Sequence, residues 1–168
     1  MLAWLNILAA KNKAGKPLVS VEDIVRKHWS HYGRNYYCRY DYEGMDKEGA
    51  TKMFAKMRGD LSGHGGKKFG EYVMKVADEF TYNDPIDGSV SKNQGMRFLF
   101  EDGSRIIFRL SGTAGSGATV RMYLEKYEPD SEKHNLSIAG ALGDLVPIAM
   151  QLCAIKEFCG TDVPTVIT

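Results

Sequence analysis

One stretch of this chain gathers side chains that bind anions: Arg109-Leu-Ser-Gly-Thr-Ala-Gly-Ser-Gly-Ala-Thr-Val-Arg121. Glycines let successive backbone N–H groups turn inward and form a concave nest. Ser111, Thr113 and Ser116 add hydroxyl donors, and the guanidinium groups of Arg109 and Arg121 offer bidentate, charge-assisted hydrogen bonds. A phosphate dianion needs about this many donors and this much positive charge. The bland alternative is a small-residue hairpin loop between two solvated arginines, since short motifs match by chance.

The loop is not one of the common nucleotide motifs. No Lys follows the glycines as a Walker A loop requires, and Gly112, Gly115 and Gly117 carry the reverse of the dinucleotide spacing and lead into a strand. The other glycine-rich stretch, Gly63 to Lys68, has Leu61 where a Walker glycine belongs and Lys68 where Ser or Thr belongs. It reads as a flexible loop. His28 and His31 lie three apart on a helix, a spacing that metal ligands use, yet His28 sits beside Trp29 as an ordinary packed or half-exposed histidine. Asp84 and Asp87 are surrounded by Pro85 and Gly88, which points to turn chemistry. Tyr36, Tyr37, Tyr40 and Tyr42 alternate with acids and have few arginines, so strand packing explains them better than base stacking. Nothing pairs a nucleophile with a base.

The elements that must position the loop are legible by period. Residues 2–12 are apolar on nearly every side and predict a helix that wants burial, followed by a polar linker from Lys11 to Pro17. Ser20-Val-Glu-Asp23 caps the next helix, which Gly33 ends. Residues 35–43 switch to period two, with Tyr36, Cys38, Tyr40 and Tyr42 on one face and Tyr37, Arg39, Asp41 and Glu43 on the other. Asp46 to Leu61 returns to a helical stripe, and Ser62 to Gly70 reads as a mobile loop. Strands are predicted near 71–82, 96–101, 105–110 and 119–127, with Asp102-Gly103 as a hairpin turn. The last predicted element is a helix over 137–158, which Pro147 bends or starts and Gly160 caps. Antiparallel strands with a few long helices on one face make an α+β domain.

Composition sets the class. Twenty-two Lys and Arg against 21 Asp and Glu leave a net charge of +1, which excludes a polybasic membrane tether and a nucleic-acid footprint. With 43% hydrophobic and 26% charged residues the chain is globular. No apolar run reaches the roughly 18 residues of a membrane helix. Cys38, Cys153 and Cys159 are odd in number and lack a C-x-x-C pair, as in a reduced cytoplasmic protein. The start of the chain has no basic region ahead of its apolar stretch, so a signal peptide is not expected.

From Arg109-Leu-Ser-Gly-Thr to Gly-Ala-Thr-Val-Arg121, the loop resembles the phosphate-binding loop in the C-terminal domain of the eukaryotic-type phosphoglucomutases, parafusin-like members included. The resemblance runs the length of the chain, through Ser20-Val-Glu-Asp-Ile24, Tyr32-Gly-Arg-Asn35, Arg39-Tyr-Asp-Tyr-Glu43, Asp84-Pro-Ile-Asp-Gly-Ser89, Asn93-Gln-Gly95, Asp102-Gly-Ser-Arg-Ile106 and Pro164-Thr-Val-Ile-Thr168. One departure is that the small residues from Gly112 to Thr119 are permuted relative to the usual family loop. The resemblance implies a TATA-binding-protein-like antiparallel sheet with helices on one face. It implies that residues 1–16 are the closing helix and linker of a third domain and that 17–168 are the fourth. By the same resemblance Arg109, Ser111, Gly112, Thr113 and Arg121 grip the substrate phosphate that is not transferred.

The whole enzyme of that family interconverts glucose 1-phosphate and glucose 6-phosphate through glucose 1,6-bisphosphate, using a phosphoserine loop and a magnesium loop. Neither loop occurs in this sequence. The resemblance therefore implies no catalytic or metal residue here, with Mg2+ and bisphosphate belonging to the full-length enzyme. Its partners are a phosphosugar and the remaining domains, with no nucleic acid and no membrane. A competing reading is a non-catalytic, structural relative of the mutases; retention of Arg109, Ser111, Thr113 and Arg121 favours the catalytic lineage.

Overall fold

A computed structural model describes residues 1–112 and 117–168. The chain divides into two compact units, one of Met1–Arg34 with Glu128–Asn135, the other of Asn35–Tyr127 with Leu136–Thr168.

In the first unit, α1 (Leu2–Lys11) forms as its composition predicts, and none of its residues is buried. Asn12 closes the segment that follows. Its side-chain amide donates to Val19 O at 2.9 Å and its carbonyl oxygen accepts from Val19 N at 2.7 Å, so the polar linker is a closed loop. Helix α2 (Val21–Tyr32) starts at a complete capping box, in which Ser20 accepts from Asp23 N and Asp23 accepts from Ser20 N. Arg34 stacks on Trp29 with its guanidinium carbon 4.1 Å from the ring centroid, and His134 meets the same ring edge-on.

The second unit is built on a seven-stranded sheet in the order β2-β3-β6-β7-β8-β1-β9. These are Lys68–Phe69, Tyr72–Glu79, Met96–Phe100, Arg105–Gly112, Ala118–Glu128, Arg34–Met45 and Val166–Ile167, named here in sheet order. The pairs β2–β3, β3–β6, β6–β7, β7–β8 and β1–β9 are antiparallel. Register places apolar residues opposite one another on one face: Phe98 with Ile106, Ile106 with Leu124, Phe108 with Met122. Those side chains are buried beneath α3 (Lys47–Asp60), α5 (Leu145–Cys153) and α6 (Ile155–Cys159), which contribute Met53, Phe54, Met57, Ala149, Leu152 and Ile155 to the same core. Each fully buried side chain of this size stabilises the fold by about 1.5–3 kcal/mol. This is the α+β arrangement the sequence predicts.

Three expectations need correction. The helix over 137–158 is three helices, because the chain breaks at Gly143–Asp144, after α4 (Ile138–Leu142), and again at Ala154, whose φ of 50° is left-handed. That conformation costs a non-glycine residue about 1–2 kcal/mol, and it lets Ile155 bury in the core beside Leu152. Pro147 lies third in α5, within the first turn, where an amide hydrogen has no helical partner to lose. The strand over 71–82 ends at Glu79; Tyr82–Asn83 (β4) pairs with Val90–Ser91 (β5) in a separate ribbon. The loop 62–70 is tied down at Phe69, which is buried and pairs with Tyr72.

Candidate phosphate-binding face

The open face of the sheet is polar because alternation along each strand sends every second residue away from the helices. On β7 those residues are Arg105, Ile107, Arg109 and Ser111; on β8 they are Thr119, Arg121, Tyr123 and Glu125. The two sets are in direct register, Arg109 opposite Arg121 and Ser111 opposite Thr119, with Gly112 opposite Ala118 at the end of the pair. Four of the five sequence-predicted site residues, Arg109, Ser111, Gly112 and Arg121, are thus side by side at the ends of two strands. Thr113 lies outside the described residues.

Like charges directly opposite on an antiparallel pair destabilise a sheet unless something else holds them. Here each guanidinium has a polar neighbour of its own. Arg109 Nε donates to Gln94 O at 3.2 Å. That carbonyl is delivered by a turn in which Asn93 adopts φ 56° and Gly95 lies so close that a Cβ would stand 2.6 Å from Phe108 O and 3.0 Å from the Arg109 stem. Arg121 leans the other way, toward β1, where its Nε is 4.0 Å from the Asp41 carboxylate. Asp41 is 4% exposed and also accepts from Arg39 Nε at 2.8 Å. On the far side of the loop, Gly117 has φ +89°, and a Cβ there would meet Met45 O at 3.0 Å. The loop therefore rejoins β8 hard against the end of β1.

Two guanidinium groups, two hydroxyls and strand-end amides sharing one face can hold a tetrahedral dianion, with the charge supplied by the arginines and the orientation by the hydroxyls. Sequence reasoning missed Thr119, Gln94 and Asp41 as parts of this arrangement. Thr119 and Asp41 were visible as alternate positions of their strands, but their strand partners were not.

The rejected candidates are placed elsewhere. His28 and His31 are exposed and pack on the Tyr32 ring at 4.7 and 4.6 Å. Asp84 accepts from Ile86 N at 2.8 Å and Asp87 from Ser89 N at 2.8 Å, which is turn chemistry. Tyr36 and Tyr42 are core residues, and burial pushes the Tyr42 hydroxyl pKa upward. Burial likewise pushes the Cys153 thiol up to about 11. Among the described residues no three His, Cys, Asp or Glu side chains gather as a metal site.

The structure defines an α+β domain with two arginines paired across the open face of its sheet, and comparison with known proteins gives its family. Residues 34–165 match the family described as phosphoglucomutase-1, C-terminal domain. The chain is 52% identical to the chloroplastic phosphoglucomutase of Arabidopsis thaliana and 52% identical to the cytoplasmic phosphoglucomutase of Mesembryanthemum crystallinum, in each case over all of this chain. It superposes on parafusin, an exocytosis-sensitive phosphoprotein and phosphoglucomutase from Paramecium in its open form, with TM-score 0.88 and 48% identity over 99% of the chain. The chain belongs to the phosphoglucomutase family and corresponds to its C-terminal domain. It spans 28% of the Arabidopsis and Paramecium proteins and 30% of the Mesembryanthemum one. Chloroplastic and cytoplasmic relatives are equally similar, and no described helix is long and apolar enough to cross a membrane.

Proposed function

We propose that this chain is the phosphate grip of a phosphoglucomutase: it holds the phosphate that is not transferred while glucose 1-phosphate and glucose 6-phosphate interconvert through glucose 1,6-bisphosphate. The observation that carries the reading is the direct pairing of Arg109 with Arg121, followed by Ser111 with Thr119, on an open sheet face. Gly112 and Thr113 complete the grip at the start of the loop. Holding one phosphate anchors either orientation of the sugar, so the chain contributes positioning.

The transfer step, its phosphoserine and its Mg2+ belong to the remaining domains, the main partners of this chain. Residues 1–16 would close the third of those domains, which agrees with the exposed apolar side chains of α1. The free thiols suit a reducing compartment, for which we take the cytoplasm.

The test is titration of the chain with inorganic phosphate and with glucose 6-phosphate, followed by amide NMR. A few charge-assisted bonds, partly offset by ordering and lost freedom, give a dissociation constant near millimolar, roughly −4 kcal/mol. Shifts should centre on Ser111 to Gly117 and vanish in Arg109→Ala and Arg121→Ala. Largest shifts at Gly63 to Lys68, or arginine variants that bind as before, would refute the grip. The chain alone should show no mutase turnover; magnesium-dependent turnover would contradict the division of labour.

A further inference from the structure

Arg121 Nε is buried and, among the described residues, has no hydrogen-bond partner, although the side chain as a whole is 42% exposed. A buried donor without an acceptor is destabilising. The nearest charged acceptor is Asp41 Oδ2 at 4.0 Å, too long for a hydrogen bond but within about an ångström of one. Asp41 is fixed, since it is almost wholly buried on β1 and its other oxygen takes Arg39 Nε at 2.8 Å. Strand β8 lies between β7 and β1, so Arg121 faces Arg109 on one side and approaches Asp41 on the other.

We propose that Asp41 is a positioning residue for Arg121: anion binding draws the guanidinium into line so that Nε donates to Asp41 Oδ2 while both terminal nitrogens face the anion. The proposal rests on the phosphate-grip reading. It assigns the carboxylate a role opposite to its bare charge. A negative group near an anion site weakens anion binding by repulsion. A positioning group strengthens it, because a guanidinium held by Nε presents its two Nη atoms as a ready fork. Arg39 then serves to keep the Asp41 carboxylate aimed.

Variants of the full chain decide between these roles, each titrated with inorganic phosphate; wherever Arg121 is retained, its Nε–Hε signal is followed as well in nitrogen-edited NMR. In Asp41→Asn the phosphate dissociation constant should rise about tenfold, and the Nε–Hε signal, which in the parent shifts and becomes protected on binding, should no longer respond. Equal or tighter phosphate binding by a folded Asp41→Asn chain would overturn the proposal and leave a simple counter-charge. In Arg121→Lys, which has no Nε, adding Asp41→Asn should change affinity less than about twofold; a full tenfold loss in that background would also overturn it. If Asp41→Asn does not fold, Arg39→Gln frees Asp41 Oδ1 while keeping the carboxylate, and should weaken phosphate about threefold with a reduced Nε–Hε response; an unchanged constant and response would refute positioning. A parent chain that fails to bind phosphate at all refutes the grip itself, a result distinct from every one above.

Discussion

The two faces of the sheet are made by the same strands yet obey different rules. Toward the helices, Phe98, Ile106, Phe108, Met122 and Leu124 interlock with residues from three helices, and what counts is volume and apolar area. Toward the open side, Arg109, Arg121, Ser111 and Thr119 meet in cross-strand pairs, and what counts is charge and direction. A substitution on the first face should therefore change stability with little effect on anion affinity. On the second, affinity should change with little effect on stability. The sheet lets one short stretch of sequence serve both ends, because consecutive residues point opposite ways.

The largest expected break of this contrast is Phe98→Ala. Phe98 is fully buried between the Phe108 ring at 6.0 Å and the His64 ring at 5.9 Å. Removing it should destabilise the chain by about 3–5 kcal/mol in urea denaturation. Phosphate affinity measured below the transition should stay within about twofold; a larger loss would mean the faces are coupled.

Gly117→Ala probes the seam between loop and sheet. The positive φ and the approach to Met45 O are strained for any side chain, so a loss of about 1–3 kcal/mol is expected. The affinity for phosphate should fall as well, since the loop rejoins β8 here. A neutral effect on both would show that the chain relaxes around this point.

The pH dependence of stability sharpens the description of the helix-covered side. Burial beside Phe69 and Phe98 pulls the His64 pKa down from 6.5, so the unfolded state binds the proton first. Stability is full above about pH 6.5 and falls as pH drops toward the lowered folded value. Glu79 follows at lower pH. The bidentate hydrogen bonds of Arg58, at 2.7 Å each, hold its carboxyl below 4.5, and that stabilisation is present above 4.5 and lost on acidification through the folded value. Such a partly exposed pair contributes no more than about 1 kcal/mol. His64→Asn should remove the first decline and Glu79→Gln the second in denaturation curves from pH 7 to 3; curves that match the parent would reject these assignments.

The smallest effect on stability belongs to Arg109→Ala. Its side chain is exposed and its one described hydrogen bond is to Gln94 O, so the change should lie within about 0.5 kcal/mol. Phosphate binding should nevertheless disappear. A variant that unfolds would erase the distinction between the faces at this position.

Much of this molecule was decided locally and could be read without coordinates. Ser20 and Asp23 cap α2 because a hydroxyl and a carboxylate three residues apart satisfy free amides at a helix start. Asp102-Gly103 turns the hairpin because glycine accepts φ +86°. Alternation assigned Arg39 and Asp41 to the face away from Tyr36 and Tyr42, and the anion-site proposal itself starts from the types of the arginines, hydroxyls and glycines of 109–121. What the sequence left open was every relation between distant strands. Whether Arg109 met Arg121 or a neighbour one residue away depended on register, and a slip of one residue would turn a guanidinium into the core. The break at Ala154 depended on where Ile155 could be buried, and the pairing of Val166–Ile167 with β1 on an edge that only the folded sheet creates. Asp41 came to Arg121 in the same way, because β8 lies beside β1 although some eighty residues separate them. Residue types and their spacing fix which chemistry a chain can offer; tertiary packing decides which groups stand within an ångström of using it, because contact energies fall off over that distance.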